Sequence, residues 1–308
     1  MSLYRARLRT VSNILEQASV STRPPPYMGP KPYVEYVYDM LLDEWQCIYL
    51  DHACTSSRIA IAACRQSGKS TVTAGFAAWY LTYNPNSLVL IASKSLRQAA
   101  YFIEKIRAAV MCFWERKYFP EANKLSITLP NGATAVAIPC QNPDAGRGFS
   151  PDLVILDEAA FASEALLSVI TPSLGATRGA IHMISSPNGP QGFFYDAVEG
   201  VSRSIYFQMQ VTYEACPRIS PDFLAQERVA LGEIKFKQEY MAMFLAPEGS
   251  FFGAESLSAL FAGEMPDYSD LAADIQGNPF ASIPIPERSD VFAAFDHTDR
   301  VIGALYDA

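Results

Sequence analysis

What is scarce in this sequence narrows its chemistry first. Histidine occurs three times in 308 residues, and no zinc pattern joins those histidines to the six cysteines. Cys47, Cys54, Cys64, Cys112, Cys140 and Cys216 are scattered without a CxxC spacing. A transition-metal site is therefore not expected, and the thiols read as free cysteines of a reducing compartment. No apolar run approaches the ~20 residues that span a bilayer. The opening MSLYRARLRTVSNILEQ carries three arginines but no long apolar segment behind them, so it is not a secretory signal. It fits an amphipathic docking helix, with an organelle transit peptide as the second reading. Positive charge is short as well: 24 Lys and Arg against 32 Asp and Glu leave a net charge of −8. A protein gripping a polyanion by overall charge would be basic, so any nucleic-acid contact must come from a local patch or from several subunits together.

What is present is a folded α/β chain. Half of it is apolar and 18% is charged, enough to bury a sizeable core. After an expected helix, Arg23-Pro24-Pro25-Pro26 makes a stiff extended break. Short apolar runs at 58–63, 88–92, 153–156 and 181–184 read as strands buried on both faces, with a fifth expected over 204–211. Helical patterns over 69–83 and 96–117 alternate with them, and Asn131-Gly132 marks a hairpin turn. This order predicts an open, mostly parallel central sheet flanked by helices. The expected organisation is an N-terminal helix and Pro-rich segment (1–33), a main domain (34–245), a Gly/Pro/Ser-rich linker or small subdomain (246–290), and two β-like segments (291–308).

The stretch CRQSGKST stands between the first strand and the first of these helices. In a phosphate-binding loop, successive backbone N–H groups cradle a phosphate at a helix N-terminus, a lysine reaches the β/γ-phosphates, and the next hydroxyl ligates Mg²⁺. Gly68, Lys69 and Ser70 supply those parts; Ala63 stands where a leading glycine is usual, a tolerable loss at the strand exit. Downstream, the run 153–156 ends in Asp157-Glu158, two acids at a strand's carboxyl end, where open α/β sheets bind ligands. Asp157 would hold Mg²⁺ and Glu158 would orient or deprotonate the attacking water; otherwise the pair simply caps the next helix. Gln46, beside Trp45, either pairs with an adenine edge or is a surface glutamine next to a buried tryptophan. Ser185-Ser186-Pro187-Asn188-Gly189 either senses the γ-phosphate through Ser186 or Asn188 or is a plain turn.

The order DEWQ, CRQSGKST, GRGFSPDLVILDEAAF, ISSPNG, followed by FKQEYMAMFLAPEGSFF, resembles the ATPase motor of the large terminase subunit of tailed bacteriophages. The resemblance covers about residues 35–250 and implies an ASCE-type P-loop NTPase fold. It implies that Gln46 reads adenine and that Arg65, Gln66, Ser67, Gly68, Lys69, Ser70 and Thr71 bind ATP and its Mg²⁺. Asp157 becomes the Walker B acid, Glu158 the catalytic carboxylate, and Ser185, Ser186 and Asn188 the loop coupling hydrolysis to movement. Arg147 matches an arginine that can reach a neighbouring subunit's nucleotide, with Arg65 in cis as its rival. A ribonuclease H-like nuclease follows the motor in this family, and Val291–Asp296 looks like its first strand with Asp296 as the first metal ligand. One such carboxylate cannot hold two metals, so nuclease activity is not expected from this polypeptide.

The partners implied are double-stranded DNA held by its phosphates, a portal protein, a small terminase subunit, and further copies in a homo-oligomeric ring that is monomeric in isolation. The place implied is the host cytoplasm, transiently on the viral procapsid, with no membrane. Lys94 and Arg97, or Arg116 and Lys117, are the expected DNA grips. The alternatives are a helicase-like P-loop ATPase outside packaging and a non-hydrolysing prophage-type scaffold.

Overall fold

Residues 24–115, 119 and 123–246 are described in the computed structural model. Within them lies a seven-stranded sheet, built from β1 (Arg58–Ala63), β2 (Leu88–Ser93), β3 (Ser126–Thr128), β4 (Thr134–Pro139), β5 (Leu153–Asp157), β6 (Ala180–Ser185) and β7 (Phe207–Val211). Their spatial order is β3-β4-β2-β5-β6-β1-β7. Every neighbouring pair is parallel except the β3–β4 hairpin, which turns through Asn131-Gly132 with Gly132 at φ +84°. This is the mostly parallel α/β architecture that the alternating pattern predicts.

The helices are α1 (Pro30–Tyr38), α2 (Glu44–Ala53), α3 (Lys69–Tyr83), α4 (Leu96–Val110), α5 (Glu164–Thr177), α6 (Gly192–Val198), α7 (Pro221–Leu231) and α8 (Glu233–Tyr240). Successive strand residues point to opposite faces, and the core divides accordingly. Ile59, Ile61, Val89, Ile91 and Ile155 bury against Tyr33, Tyr49, Phe76 and Phe102 from α1 to α4. Ala60, Ala62, Leu90, Val154 and Leu156 bury against Leu166, Ile170 and Phe194 from α5 and α6. Coverage on both sides explains why the strands read as continuous apolar runs rather than alternating ones.

Two boundaries differ from the sequence reading. α4 ends at Val110 rather than near residue 117, and β7 begins at Phe207 because Arg203–Ile205 forms a 3-10 turn. The expected helix before residue 24, residues 247–290 of the linker, the segments of 291–308 with Asp296, and Arg116 and Lys117 lie outside the described residues. Among the described residues, no helix is long and apolar enough to cross a membrane.

Candidate nucleotide site

The site forms where three strands release their chains at the carboxyl edge of the sheet. β1 and β5 do not touch; β6 lies between them. The loop after β1, the acids ending β5 and the serines ending β6 therefore converge from sequence positions far apart.

The β1–α3 loop is shaped by its own backbone. Gln66 sits at φ 59° and Gly68 at φ +85°, both left-handed. Gly68 answers a second demand, because a Cβ there would lie 2.9 Å from Gln46 Nε2 and 3.2 Å from Arg218 Nη2. α3 starts directly after it, so its unpaired N–H groups and positive dipole end face the loop. Ser67 Oγ donates to the Cys64 carbonyl at 2.8 Å, closing the loop on itself.

Around this loop the candidate side chains are already paired. Lys69 Nζ lies 3.2 Å from Glu158 Oε1 and donates to Ser186 Oγ at 3.3 Å. Ser70 Oγ donates to Asp157 Oδ1 at 3.0 Å. Ser185 Oγ donates to Glu158 Oε2 at 3.1 Å, and Ser186 Oγ donates to the Ala63 carbonyl at 3.1 Å. Glu158 itself is left-handed, at φ 60°, a conformation that non-glycine residues seldom adopt. Burial, reinforced by the charge of Glu158, pushes Asp157 up to about 6, while Lys69, the Ser70 hydroxyl and Lys105 pull it back. Burial lowers Lys105.

A cleft of about 670 Å³ opens beside these groups, lined by Ser70, Asp157 and Glu158 on one side and by Arg97, Gln98, Tyr101, Phe102 and Lys105 of α4 on the other. The chemistry of the donor set suits a hydrated divalent cation with a triphosphate. A serine hydroxyl and a buried carboxylate stand 3.0 Å apart, and the crowding that raises Asp157 is what a cation would relieve.

Gln46 is fully buried. Its carbonyl accepts from the Asp43 N–H at 3.0 Å and its amide donates to the Ser67 carbonyl at 3.4 Å. The first bond belongs to the capping box of α2, in which Asp43 caps and Gln46 reaches back. DEWQ carries the D-x-x-Q spacing of that box, a signal open to sequence reading.

The loop also has a partner that the sequence reading missed. Arg218, after β7, donates to the Ser67 carbonyl at 2.9 Å and forms an ion pair with Asp43 at 2.7 Å. Arg65 turns to the end of α8, with its Nε 2.7 Å from Glu239 Oε2 and its N–H donating to the Glu239 carbonyl at 2.8 Å. Arg147 and Asn188 stand exposed, and Arg147 pairs with Asp144 at 2.8 Å rather than with any of the residues above. Lys94 lies 3.7 Å over the Phe161 ring, and Arg97 lines the cleft wall.

The family described as "Terminase large subunit, T4likevirus-type, N-terminal" matches residues 60–259. This chain belongs to that terminase large subunit family. The large terminase subunit of Thermus virus P23-45 is 26% identical over 247 residues, covering 69% of this chain and 51% of its own length. That of Escherichia phage T5 is 26% identical over 201 residues, covering 62% and 45%. The chain thus spans about half the length of the curated relatives it matches. Among solved structures, the Thermus phage P74-26 large terminase ATPase domain aligns with a TM-score of 0.59 at 22% identity, over 71% of this chain and 100% of that one. The large terminase of a thermophilic bacteriophage, in complex with ADP, aligns at a TM-score of 0.56 and 11% identity, over 66% and 54%. At these identities the likeness establishes the fold shared with terminase ATPase domains.

Proposed function

We propose that residues 34–245 form the ATP-hydrolysing motor of a terminase large subunit, which drives double-stranded DNA into a procapsid. The observation that carries this reading is the meeting of Lys69 and Ser70 with Glu158 and Asp157 across the sheet edge. A non-hydrolysing scaffold would have no use for a lysine and two acids held within bonding reach.

Gly68 and the first amides of α3 bind the phosphates, and Lys69 reaches the γ end. Ser70 and Asp157 would hold Mg²⁺, which when bound neutralises phosphate charge. Glu158 orients the attacking water and accepts its proton. Triphosphate competes with Glu158 for Lys69, so nucleotide entry itself frees the carboxylate. Ser185 and Ser186 touch Glu158 and Lys69 respectively, which suits a loop that reports the state of the γ-phosphate. Gln46 anchors the loop from behind with one amide hydrogen, and its other amide hydrogen meets an adenine edge only once the loop opens over it. Gln66, Ser67 and Thr71 complete the phosphate cradle.

Arg147, exposed and paired with Asp144 three residues before it, is the arginine offered to an adjacent subunit in a ring. Arg65 is the cis candidate once released from Glu239. The DNA is held through its phosphates without regard to sequence, and the portal and small subunit are the docking partners, at a procapsid in the host cytoplasm.

Steady-state ATPase with and without linear duplex DNA, in the wild type and Glu158→Ala, tests the reading. Weak hydrolysis by the isolated chain and loss of turnover in the variant are expected. Undiminished turnover in Glu158→Ala would reject the assignment.

A further inference from the structure

The wall of the cleft formed by α4 belongs to no element of the phosphate-binding loop, yet one of its side chains enters the site. Lys105 Nζ donates to Thr71 Oγ1 at 3.0 Å. Thr71 follows Ser70 in the first turn of α3, so Lys105 fixes the turn that aims the Ser70 hydroxyl at Asp157. The contact joins positions 34 residues apart, on two helices that pack against each other and bury Phe76 and Phe102 in the same core.

Packing alone is a poor reason for a lysine here. A half-buried ammonium loses hydration, and that loss is not recovered from a neutral hydroxyl as it would be from a carboxylate. The electrostatic return lies across the cleft, where Asp157 is buried and Glu158 adds a second negative charge. With Lys69 already paired to Glu158, Lys105 and Arg97 are the cations on the facing wall of the cleft, and of the two it is Lys105 that also bonds α3.

We propose that Lys105 is a positioning residue for the metal and γ-phosphate end of the nucleotide site, acting through Thr71 and through its charge opposite Asp157. The inference rests on the reading of the site as one for Mg–ATP. It has a signature that a packing role lacks. A fixed cation facing Asp157 repels the metal ion, so its removal tightens metal binding. The same removal withdraws positive charge from the reacting phosphate, so turnover falls.

The test compares wild type, Lys105→Met and Lys105→Arg. Mn²⁺ binding in the presence of a non-hydrolysable ATP analogue is read by electron paramagnetic resonance, and kcat is read across a Mg²⁺ titration. Lys105→Met is expected to bind Mn²⁺ about three- to tenfold more tightly and to lose about tenfold or more in kcat, in keeping with one screened charge near a carboxylate. Lys105→Arg is expected to restore the metal affinity and much of kcat. Unchanged or weakened metal affinity in Lys105→Met overturns the proposal. So does an equal loss of activity and melting temperature in both variants, which would leave only a packing role. Failure of the wild type to bind the ATP analogue would instead reject the nucleotide reading, and this proposal with it.

Discussion

Lys69 Nζ and Glu158 Oε1 lie 3.2 Å apart, so the cation proposed for the γ-phosphate is held by the carboxylate proposed for the water. Both side chains are mostly shielded from solvent, at 10% and 21% exposure. Glu158→Gln removes this competitor while keeping the shape of the site. Affinity for a fluorescent ATP analogue should rise about three- to tenfold, as expected for about 1 kcal/mol of relieved competition. Hydrolysis should fall by about 10²-fold or more with the loss of the base. Weaker analogue binding in Glu158→Gln would show that the pair is not in competition with phosphate.

Gly68 carries two constraints at once, a left-handed backbone and the close approach of Gln46. Gly68→Ala should therefore cost about 1–3 kcal/mol of stability, lowering the melting temperature by several degrees in a domain of this size. It should also abolish analogue binding, because relief of the contact displaces either the loop or Gln46. Full binding with an unchanged melting temperature would mean that the loop accommodates a side chain freely.

The parts of this architecture that could be read from sequence are those with local signals. The strands at 58–63, 88–93, 153–157 and 180–185 are buried on both faces, so their apolar runs are unbroken, and GKS marks the start of α3 through its own chemistry. Arg218 and Lys105 left no such trace. Each acts from another element, Arg218 on the loop at a separation of 151 residues and Lys105 on the first turn of α3 at 34, and an exposed or helical basic residue looks the same in sequence whether or not it has a distant partner. The early end of α4 was hidden for a related reason, since the helical pattern continues beyond Val110 while the chain turns at Met111–Trp114. Gln46 was legible as a candidate, but its capping bond makes it part of α2 as well as of the loop.

His182 predicts an acid sensitivity unrelated to the site's chemistry. It is fully buried on β6, 3.2 Å from the Tyr49 hydroxyl and against the Phe76 ring. Burial pushes it down to about 3, whereas the unfolded chain titrates near 6.5. Below that value the unfolded state takes up a proton that the folded state refuses. The stabilisation is therefore full above pH 6.5 and is lost as pH falls from there towards 3, by about 2 kcal/mol at pH 5. Asp157, raised to about 6, works in the opposite direction, so the informative quantity is a difference between proteins. His182→Gln should flatten the decline in stability between pH 7 and pH 5 measured by urea unfolding; parallel profiles for the two proteins would contradict it.

The root of the β1–α3 loop holds a pair of thiols. Cys64 Sγ and Cys216 Sγ are 3.8 Å apart, and both residues are buried. The bond to Cys216 and burial push Cys64 up, while the same bond lowers Cys216. Closing a disulfide of about 2.05 Å requires the sulfurs to approach by somewhat less than 2 Å. Cys64 leads straight into the loop and accepts its Ser67 hydroxyl bond, and Cys216 lies two residues before Arg218, which holds the Ser67 carbonyl. Any such approach therefore moves the loop from both ends. Diamide should link the pair, with one thiol adding to its N=N bond and the other displacing the resulting hydrazine, so that both thiol hydrogens end on nitrogen. Peptide mapping should find the 64–216 bridge, ATP-analogue affinity should fall severalfold, and a dithiol reductant should restore it. Cys216→Ser should be indifferent to the treatment. A bridged protein that still binds the analogue at full affinity would show that the loop tolerates the displacement and that the thiols are merely neighbours.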